Sequence, residues 1–349
     1  MKRRLVSLAV ALSLLLAACA PALAEADWGG IWTGVHSGVV QVEGVTQSWS
    51  RETGQTEQVV AMVSGLYYGE NYVLTCAHPL TGCDEVRVTD ENGEVYRVTD
   101  RRTDETIDLT VLVLDRRIEG ATALSLDGEA SMLDEVMVVG HANAEEGILP
   151  YTATRGIVSG LNRDGGALGV FGRAVNLIQT DATLYGGFTG AGLFGENGSV
   201  LGMIVLPALS SETASGVYYA CGFALPVQVI APAAADLIAF GQVKRPRMGI
   251  MVQQVDGPDE PVGKWTPCGM IVVDVEKGGP ADRAGMLIND IITEVDGVRI
   301  RDYNALSAIL DSLTEGSSIH VRVYRCMDAD GETIDNPDYI EFDLKLEFR

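Results

Sequence analysis

From residue 37 to residue 225 the chain alternates short apolar runs with turn residues. The runs fall at 38–42, 72–75, 86–88, 109–114, 136–139 and 200–205. Between them lie Asp90-Glu91-Asn92-Gly93, Arg163-Asp164-Gly165-Gly166 and Gly195-Glu196-Asn197-Gly198. Asn-Gly and Asp-Gly pairs supply the positive φ angles that tight hairpins need. Short strands at this spacing predict a mainly β unit, a barrel or a sandwich. Residues 226–240, rich in Ala and Leu, predict one helix that closes it. Residues 241–247 are basic and contain proline, which marks a linker and a domain boundary.

Beyond the linker the pattern is mixed. Strands are expected at 269–275, 290–295 and 318–324, with a turn at Asp296-Gly297. A helical turn over 280–285 is stopped by Gly285, and residues 304–310 predict a second short helix. No internal repeat stands out.

The first 24 residues have a different character. Lys2-Arg3-Arg4 is a basic start, followed by an apolar stretch at 5–18 that is short for spanning a bilayer. Two processing sites compete. Leu16-Ala17-Ala18-Cys19 resembles a bacterial lipobox, which would place a lipid anchor on Cys19. Ala22-Leu23-Ala24 fits a small-x-small cleavage site that releases a chain beginning at Glu25. Both imply export, to the cell envelope or beyond it. The expected organisation is a signal peptide at 1–24, a first domain at 25–240, a linker at 241–247 and a second domain at 248–349.

Composition narrows the ligands. The 349 residues are 47% hydrophobic and 21% charged, an ordinary globular balance with room for two cores. The formal charge of −23 becomes −26 when Lys2, Arg3 and Arg4 leave with the signal segment. A surface this acidic repels nucleic acid and anionic headgroups, so neither is expected as a partner. After Cys19, five cysteines remain: Cys76, Cys83, Cys221, Cys268 and Cys326. Export permits disulfides, and the odd number leaves at least one thiol without an intramolecular partner. The pairing is open; Cys76 and Cys83 are nearest in sequence, and Cys268 and Cys326 share the second domain. No CxxC or His/Cys cluster has zinc spacing, so no metal or organic cofactor is implied.

Three sites could carry chemistry. His78 ends the apolar run Val73-Leu74-Thr75-Cys76-Ala77, where a lone histidine is ordinarily a core residue. Asp108 opens the run 109–114 and by itself is a polar strand-starter. Gly186-Gly187-Phe188-Thr189-Gly190-Ala191-Gly192 by itself is a flexible turn. Together they run in the order base, orienter, nucleophile, one of the convergent orders of a catalytic triad. That chemistry needs a hydroxyl beside an imidazole and a buried carboxylate that fixes the imidazole tautomer. It also needs glycines beside the nucleophile, so that backbone N–H groups face a developing oxyanion.

The motifs resemble those of the HtrA/Deg family of exported proteases, which join a trypsin-like double β-barrel to PDZ domains. Residues 73–78 are similar to the family's VLTAAH, and Asp108-Leu109-Thr110-Val111-Leu112 to its DLAVL. Gly156-Ile157-Val158-Ser159, Gln179-Thr180-Asp181-Ala182 and Gly222-Phe223-Ala224-Leu225-Pro226 match GIVS, QTDA and GFAIP. The resemblance implies a catalytic set of His78, Asp108 and Thr189, with Gly187 and Thr189 supplying the oxyanion hole. It also implies homotrimers or larger assemblies.

One departure falls at the nucleophile. The family reads GNSGGP where this chain reads Gly187-Phe188-Thr189-Gly190-Ala191-Gly192, so Thr189 stands in place of serine. Threonine nucleophiles usually rely on their own N-terminal amine as base, and an internal threonine has none. Phe188 and Ala191 add bulk beside the loop. The expectation is a pseudoprotease, the alternative an ATP-independent endopeptidase using Thr189.

In the second domain, Met248-Gly249-Ile250 resembles the carboxylate-binding loop of an HtrA PDZ domain. Residues 278–286 resemble GSPAEKAGL, and Asn289-Asp290-Ile291-Ile292 resembles GDII with Asn289 in place of glycine. The resemblance implies capture of unfolded proteins or peptide C-termini by strand addition, with N–H groups of Met248, Gly249 and Ile250 on the terminal carboxylate.

Overall fold

The computed structural model describes residues 26–50, 54–144, 147–165, 175–205, 221–263, 265–311, 313, 316–328 and 331–348. The expected signal segment with Cys19 and the turn residue Gly166 lie outside them.

A helix absent from the sequence expectation comes first, α1 (Trp28–Val35). Asp27 caps it by accepting from Gly30 N at 2.9 Å, satisfying one orphan donor of the first turn. Trp28 and Val35 bury its inner face against the core.

Two closed six-stranded barrels follow. The first contains β1 (Val39–Ser50), β2 (Gly54–Gly69), β3 (Tyr72–Cys76), β4 (Glu85–Thr89), β5 (Val95–Asp104) and β6 (Leu109–Leu114), in the order β1-β2-β3-β6-β5-β4. The second contains β7 (Glu135–Ala144), β8 (Gly147–Asp164), β9 (Asn176–Thr180), β10 (Gly192–Phe194), β11 (Val200–Val205) and β12 (Gly222–Pro226), in the order β10-β11-β12-β9-β8-β7. Closure removes the edges an open sheet would expose. The turn between β4 and β5 shows how local chemistry fixes register. Asp90 Oδ1 accepts from Asn92 N and Glu94 N, both at 2.9 Å, and Gly93 takes φ +77°.

The expected closing helix is α2 (Val227–Phe240), which ends on Gly241 at φ +75°. Its Ile230, Ala234 and Leu237 join Leu66, Leu74, Leu109, Val139 and Met203 in one core shared by both barrels. The seam between the barrels is therefore a packed interface, and loops crossing it are held on two sides.

The third unit holds β13 (Pro246–Arg247), β14 (Ile250–Val255), β15 (Gly269–Val275), α3 (Pro280–Ala284), β16 (Ile291–Val295), β17 (Val298–Arg299), α4 (Tyr303–Asp311), β18 (Ser318–Met327), β19 (Thr333–Lys345) and β20 (Glu347–Phe348). Its main sheet runs β14-β15-β16-β18-β19, so β14 lies at an edge. β13 pairs with β20, so the last residues of the expected linker belong to this unit's own pairing. The linker is also tied back to the first barrel. Arg245 forms an ion pair with buried Asp104 at the end of β5, and Lys244 N donates to Asp236 of α2 at 3.0 Å.

The five cysteines after Cys19 are all free thiols, so neither candidate pairing is formed. Cys76, Cys83, Cys268 and Cys326 are buried, as small apolar side chains often are.

Candidate active site

His78 follows β3 after a single residue, Ala77, and starts the 3₁₀ turn His78–Leu80. Asp108 precedes β6, which pairs with β3, so the hydrogen-bonded ladder itself brings the two residues together. Asp108 has φ +56°, a left-handed conformation that aspartate tolerates better than most residues. Its carboxylate is fully engaged. Oδ1 accepts from Ala77 N at 2.9 Å and His78 N at 2.7 Å, and Oδ2 accepts from His78 Nδ1 at 2.6 Å. An acceptor at Nδ1 puts the imidazole proton there and leaves the Nε2 lone pair facing outward. His78 is exposed, while Asp108 is buried.

Thr189 lies on the loop between β9 and β10 and is 7% exposed. Among the described residues no hydrogen bond joins its Oγ1 to His78. The structure thus brings two of the three expected residues into contact and leaves the third unjoined to them.

The backbone of this loop has a definite polarity. Phe188 N donates to Tyr185 O at 3.1 Å, Gly190 N to Ile204 O at 2.8 Å and Ala191 N to Phe188 O at 2.8 Å. The N–H groups of Gly187 and Thr189 have no protein acceptor among the described residues. Gly187 and Gly190 take φ +87° and +84°, angles that glycine adopts without strain. A Cβ on Gly190 would lie 2.1 Å from Ser64 O, and one on Gly187 would lie 2.3 Å from His141 O. Both positions require glycine for space as well as for conformation.

Ser64 on β2 clamps the loop from the first barrel. Its Oγ donates to Gly187 O at 2.8 Å and accepts from His141 N at 2.9 Å. Its backbone N donates to Thr189 O at 2.9 Å, and its carbonyl accepts from Thr75 Oγ1 at 2.7 Å. Ser64 is fully buried and was not singled out from sequence. The available signal was a lone hydroxyl inside the apolar run Met62-Val63-Ser64-Gly65-Leu66. His141 is buried behind this clamp, and desolvation pushes its pKa down to about 4.

Phe188 and Ala191 do not crowd the loop as the sequence suggested. Both side chains are fully buried in the core of the second barrel, beside Val138 and Ala142. Gly140 makes the room: a Cβ there would meet Ala191 Cβ at 2.8 Å and Phe188 Cδ1 at 3.0 Å.

In the third unit, Met248 and Gly249 lead into the edge strand β14, which begins at Ile250. Met248 O accepts from Ala281 N at 2.9 Å and Gly249 O accepts from Glu276 N at 2.8 Å. With the carbonyls engaged, the N–H groups of Met248 and Gly249 have no protein acceptor among the described residues. Gly249 has φ +73°, and Met248 is buried.

Comparison with known proteins agrees with this layout. Residues 63–203 match the family described as a trypsin-like peptidase domain, and residues 246–336 match the family described as a PDZ domain. A probable periplasmic serine endoprotease DegP-like from Halomonas elongata is 30% identical over 278 residues, which cover 78% of this chain and 55% of that protein. The serine protease Do-like HtrA of Lactobacillus helveticus is 29% identical over 273 residues, 75% of this chain and 65% of that one. The chain spans only about half to two thirds of the length of such relatives. Among solved structures, the HtrA-type protease AlgW with decapeptide superposes with a TM-score of 0.70 at 21% identity, covering 93% of this chain and 99% of that one. At that identity the likeness speaks for the fold.

Proposed function

The chain belongs to the HtrA/DegP family of trypsin-like peptidases with a C-terminal PDZ domain, and we propose that it binds peptide segments while its hydrolytic step is impaired at Thr189 alone. The observation that carries this reading is the lack of a hydrogen bond between Thr189 Oγ1 and His78, in a site where Asp108 already accepts three hydrogen bonds. A nucleophilic hydroxyl needs its base within hydrogen-bond reach, and threonine brings a methyl group that serine lacks.

Peptide capture is assigned to the edge of β14. An extended segment with a free C-terminus adds there as a further strand, its carboxylate meeting the N–H groups of Met248, Gly249 and Ile250. The free donors at Met248 and Gly249 and the edge position of β14 support this. Unfolded proteins or protein C-termini at the cell envelope are the ligand class. The periplasmic description of the Halomonas elongata relative is in keeping with export.

A second reading, endopeptidase activity with His78 as base and Thr189 as nucleophile, is favoured by one specific observation. The N–H groups of Gly187 and Thr189 have no protein acceptor among the described residues, as donors of an oxyanion hole require. Apo-state contacts between nucleophile and base are also often loose. Casein hydrolysis by the chain and by His78→Ala separates the readings. The first expects no difference between them; hydrolysis that disappears in His78→Ala selects the second. Titration with a peptide bearing a free or an amidated C-terminus tests the binding site, and equal affinity for the two would exclude carboxylate capture.

A further inference from the structure

Behind the loop that carries Thr189, β7 and β8 lose register at one point. Gly140 pairs with Thr152 and Ala142 with Leu149, so Pro150 and Tyr151 stand opposite His141 alone. The bulge takes His141 out of the ladder, and its N–H turns instead to Ser64 Oγ at 2.9 Å. Tyr151 sits in the same bulge at φ +54°, and its ring meets the His141 ring edge-on with centroids 4.7 Å apart. A tyrosine at positive φ is strained, and such strain persists where the surroundings over-determine it.

The His141 ring is tied at one nitrogen only. Nε2 lies 3.3 Å from Val39 O of β1; a carbonyl can only accept, so Nε2 carries the proton and Nδ1 is a bare acceptor. Among the described residues neither Nδ1 nor the Tyr151 hydroxyl has a hydrogen-bond partner, although both atoms are buried and His141 is only 2% exposed. Toward His141, β1 presents the Val39 carbonyl, β2 the Ser64 hydroxyl and β8 the Tyr151 phenol. Behind the phenol stands His36, edge-on to it with centroids 5.9 Å apart and paired with Glu91 at 3.1 Å. Burial, then the carboxylates of Glu91 and Asp90, push the Tyr151 pKa up to about 12, so the phenol stays neutral in acid. A second proton on the His141 ring would therefore create a buried charge with no anion against it, and an Nδ1–H donor without a partner.

We propose that His141 is an acid-released latch on the oxyanion loop: its neutral ring keeps the Ser64 clamp closed, and its protonated ring leaves the pocket and opens the clamp. The route is short. His141 N donates to Ser64 Oγ, and that hydroxyl donates to Gly187 O at 2.8 Å. His141 O stands 2.3 Å from where a Cβ on Gly187 would lie, so the two backbones are in contact. A ring that moves out to water carries its own peptide with it, and Gly187 loses its hold. Residue 141 lies outside the β7–β8 ladder, so the movement is local and breaks no pairing between those strands. The closed ring stays neutral down to about pH 4, whereas an open ring titrates near its ordinary 6.5. The closed state thus binds fewer protons, and acid favours opening. The consequence for chemistry rests on the reading of Gly187 and Thr189 as oxyanion donors; the latch itself does not.

Amide hydrogen exchange of the full chain, followed residue by residue by NMR, tests the latch without any substrate. The Ser64 and His141 amides close the clamp, and they are expected to open about tenfold more often than the ladder amides of Val111 and Val138. Corrected for intrinsic rates, their opening should rise about 30-fold from about pH 7.5 to about pH 5, and stay level in His141→Gln. Clamp amides that follow the ladder amides at every pH would overturn the latch, because His141 would then charge only on global unfolding. A rise that survives in His141→Gln would overturn it too. If His141→Gln does not fold, the parent chain decides alone, and the absence of an acid-dependent rise at Ser64 and His141 refutes the latch. The oxyanion reading stands or falls separately, on hydrolysis by Thr189→Ser.

Discussion

Replacing Thr189 with serine removes one methyl group and should move activity and stability in opposite directions. The loop backbone is held by Ser64 N on Thr189 O and by Gly190 N on Ile204 O, so it gives little room for the hydroxyl to seek His78 by main-chain movement. The adjustment falls on χ1, where threonine must place two heavy atoms and serine only one. An off-rotamer χ1 costs about 0.5–1.5 kcal/mol, and forcing the methyl into a filled corner about 1–3 kcal/mol more. At about 1.4 kcal/mol per decade, relief of both should raise the rate roughly 10- to 1000-fold. Thr189 is 7% exposed, so loss of the buried methyl should also lower stability, by about 1 kcal/mol. The assay is casein and peptide hydrolysis by the parent, Thr189→Ser and Thr189→Ser/His78→Ala, with urea unfolding of each. A parent chain that cuts as fast as Thr189→Ser, in a His78-dependent manner, refutes the steric argument. A Thr189→Ser variant that stays silent shows that the defect lies elsewhere in the site.

Three further outcomes follow from the packing around the loop. Gly190→Ala sets a side chain at φ +84° and 2.1 Å from Ser64 O, and should lower urea-unfolding stability by about 3 kcal/mol or more; a loss below about 1 kcal/mol would contradict the close approach. Phe188→Ala should cost about 3–5 kcal/mol in the same assay, because Phe188 is a fully buried core side chain and not a lip of the site. His141 is held neutral by burial, its pKa down to about 4 from an ordinary 6.5, so the unfolded chain binds the extra proton between those values. Its contribution is fully present above about pH 6.5 and is lost as pH falls toward 4, by about 3 kcal/mol in total. A His141→Gln variant should flatten that part of the stability–pH curve, and an unchanged curve would assign the acid sensitivity to other groups.

What could be read from the sequence depended on how local each signal was. His78 and Asp108 stood out because each sits at an end of an apolar strand, and pairing of β3 with β6 turns those two ends into neighbours. The turn at Asp90 carried its own chemistry within five residues. Helix α1 was hidden because Gly29, Gly30 and Gly34 weaken its helical pattern, and its stability comes from Trp28 and Val35 packing on strands far along the chain. Ser64 is the sharper case. Its partner Gly187 lies 123 residues away, and the bond exists only because two barrels close and then pack together. No window of sequence contains both halves of that contact.

Phe188 shows why motif departures need to be weighed by direction as well as by position. Four of the loop's residues, Phe188, Thr189, Ala191 and Gly192, differ from the family pattern, and from sequence the first three count against activity. Two of them face the barrel core, where Gly140 opposite leaves the volume that Phe188 and Ala191 fill. Burial of these two side chains leaves the loop backbone alone, because that backbone is set by Gly187, Gly190 and the Ser64 clamp. The unengaged N–H groups of Gly187 and Thr189 are the result: the proposed oxyanion donors survive substitutions on both sides of Thr189. The functional question therefore contracts from a degraded loop to a single side chain, and within it to a single methyl group. If Thr189→Ser restores hydrolysis, Phe188 is silent for catalysis, and a second change, Phe188→Asn, should lower stability, because it puts a polar side chain into the barrel core, without adding rate.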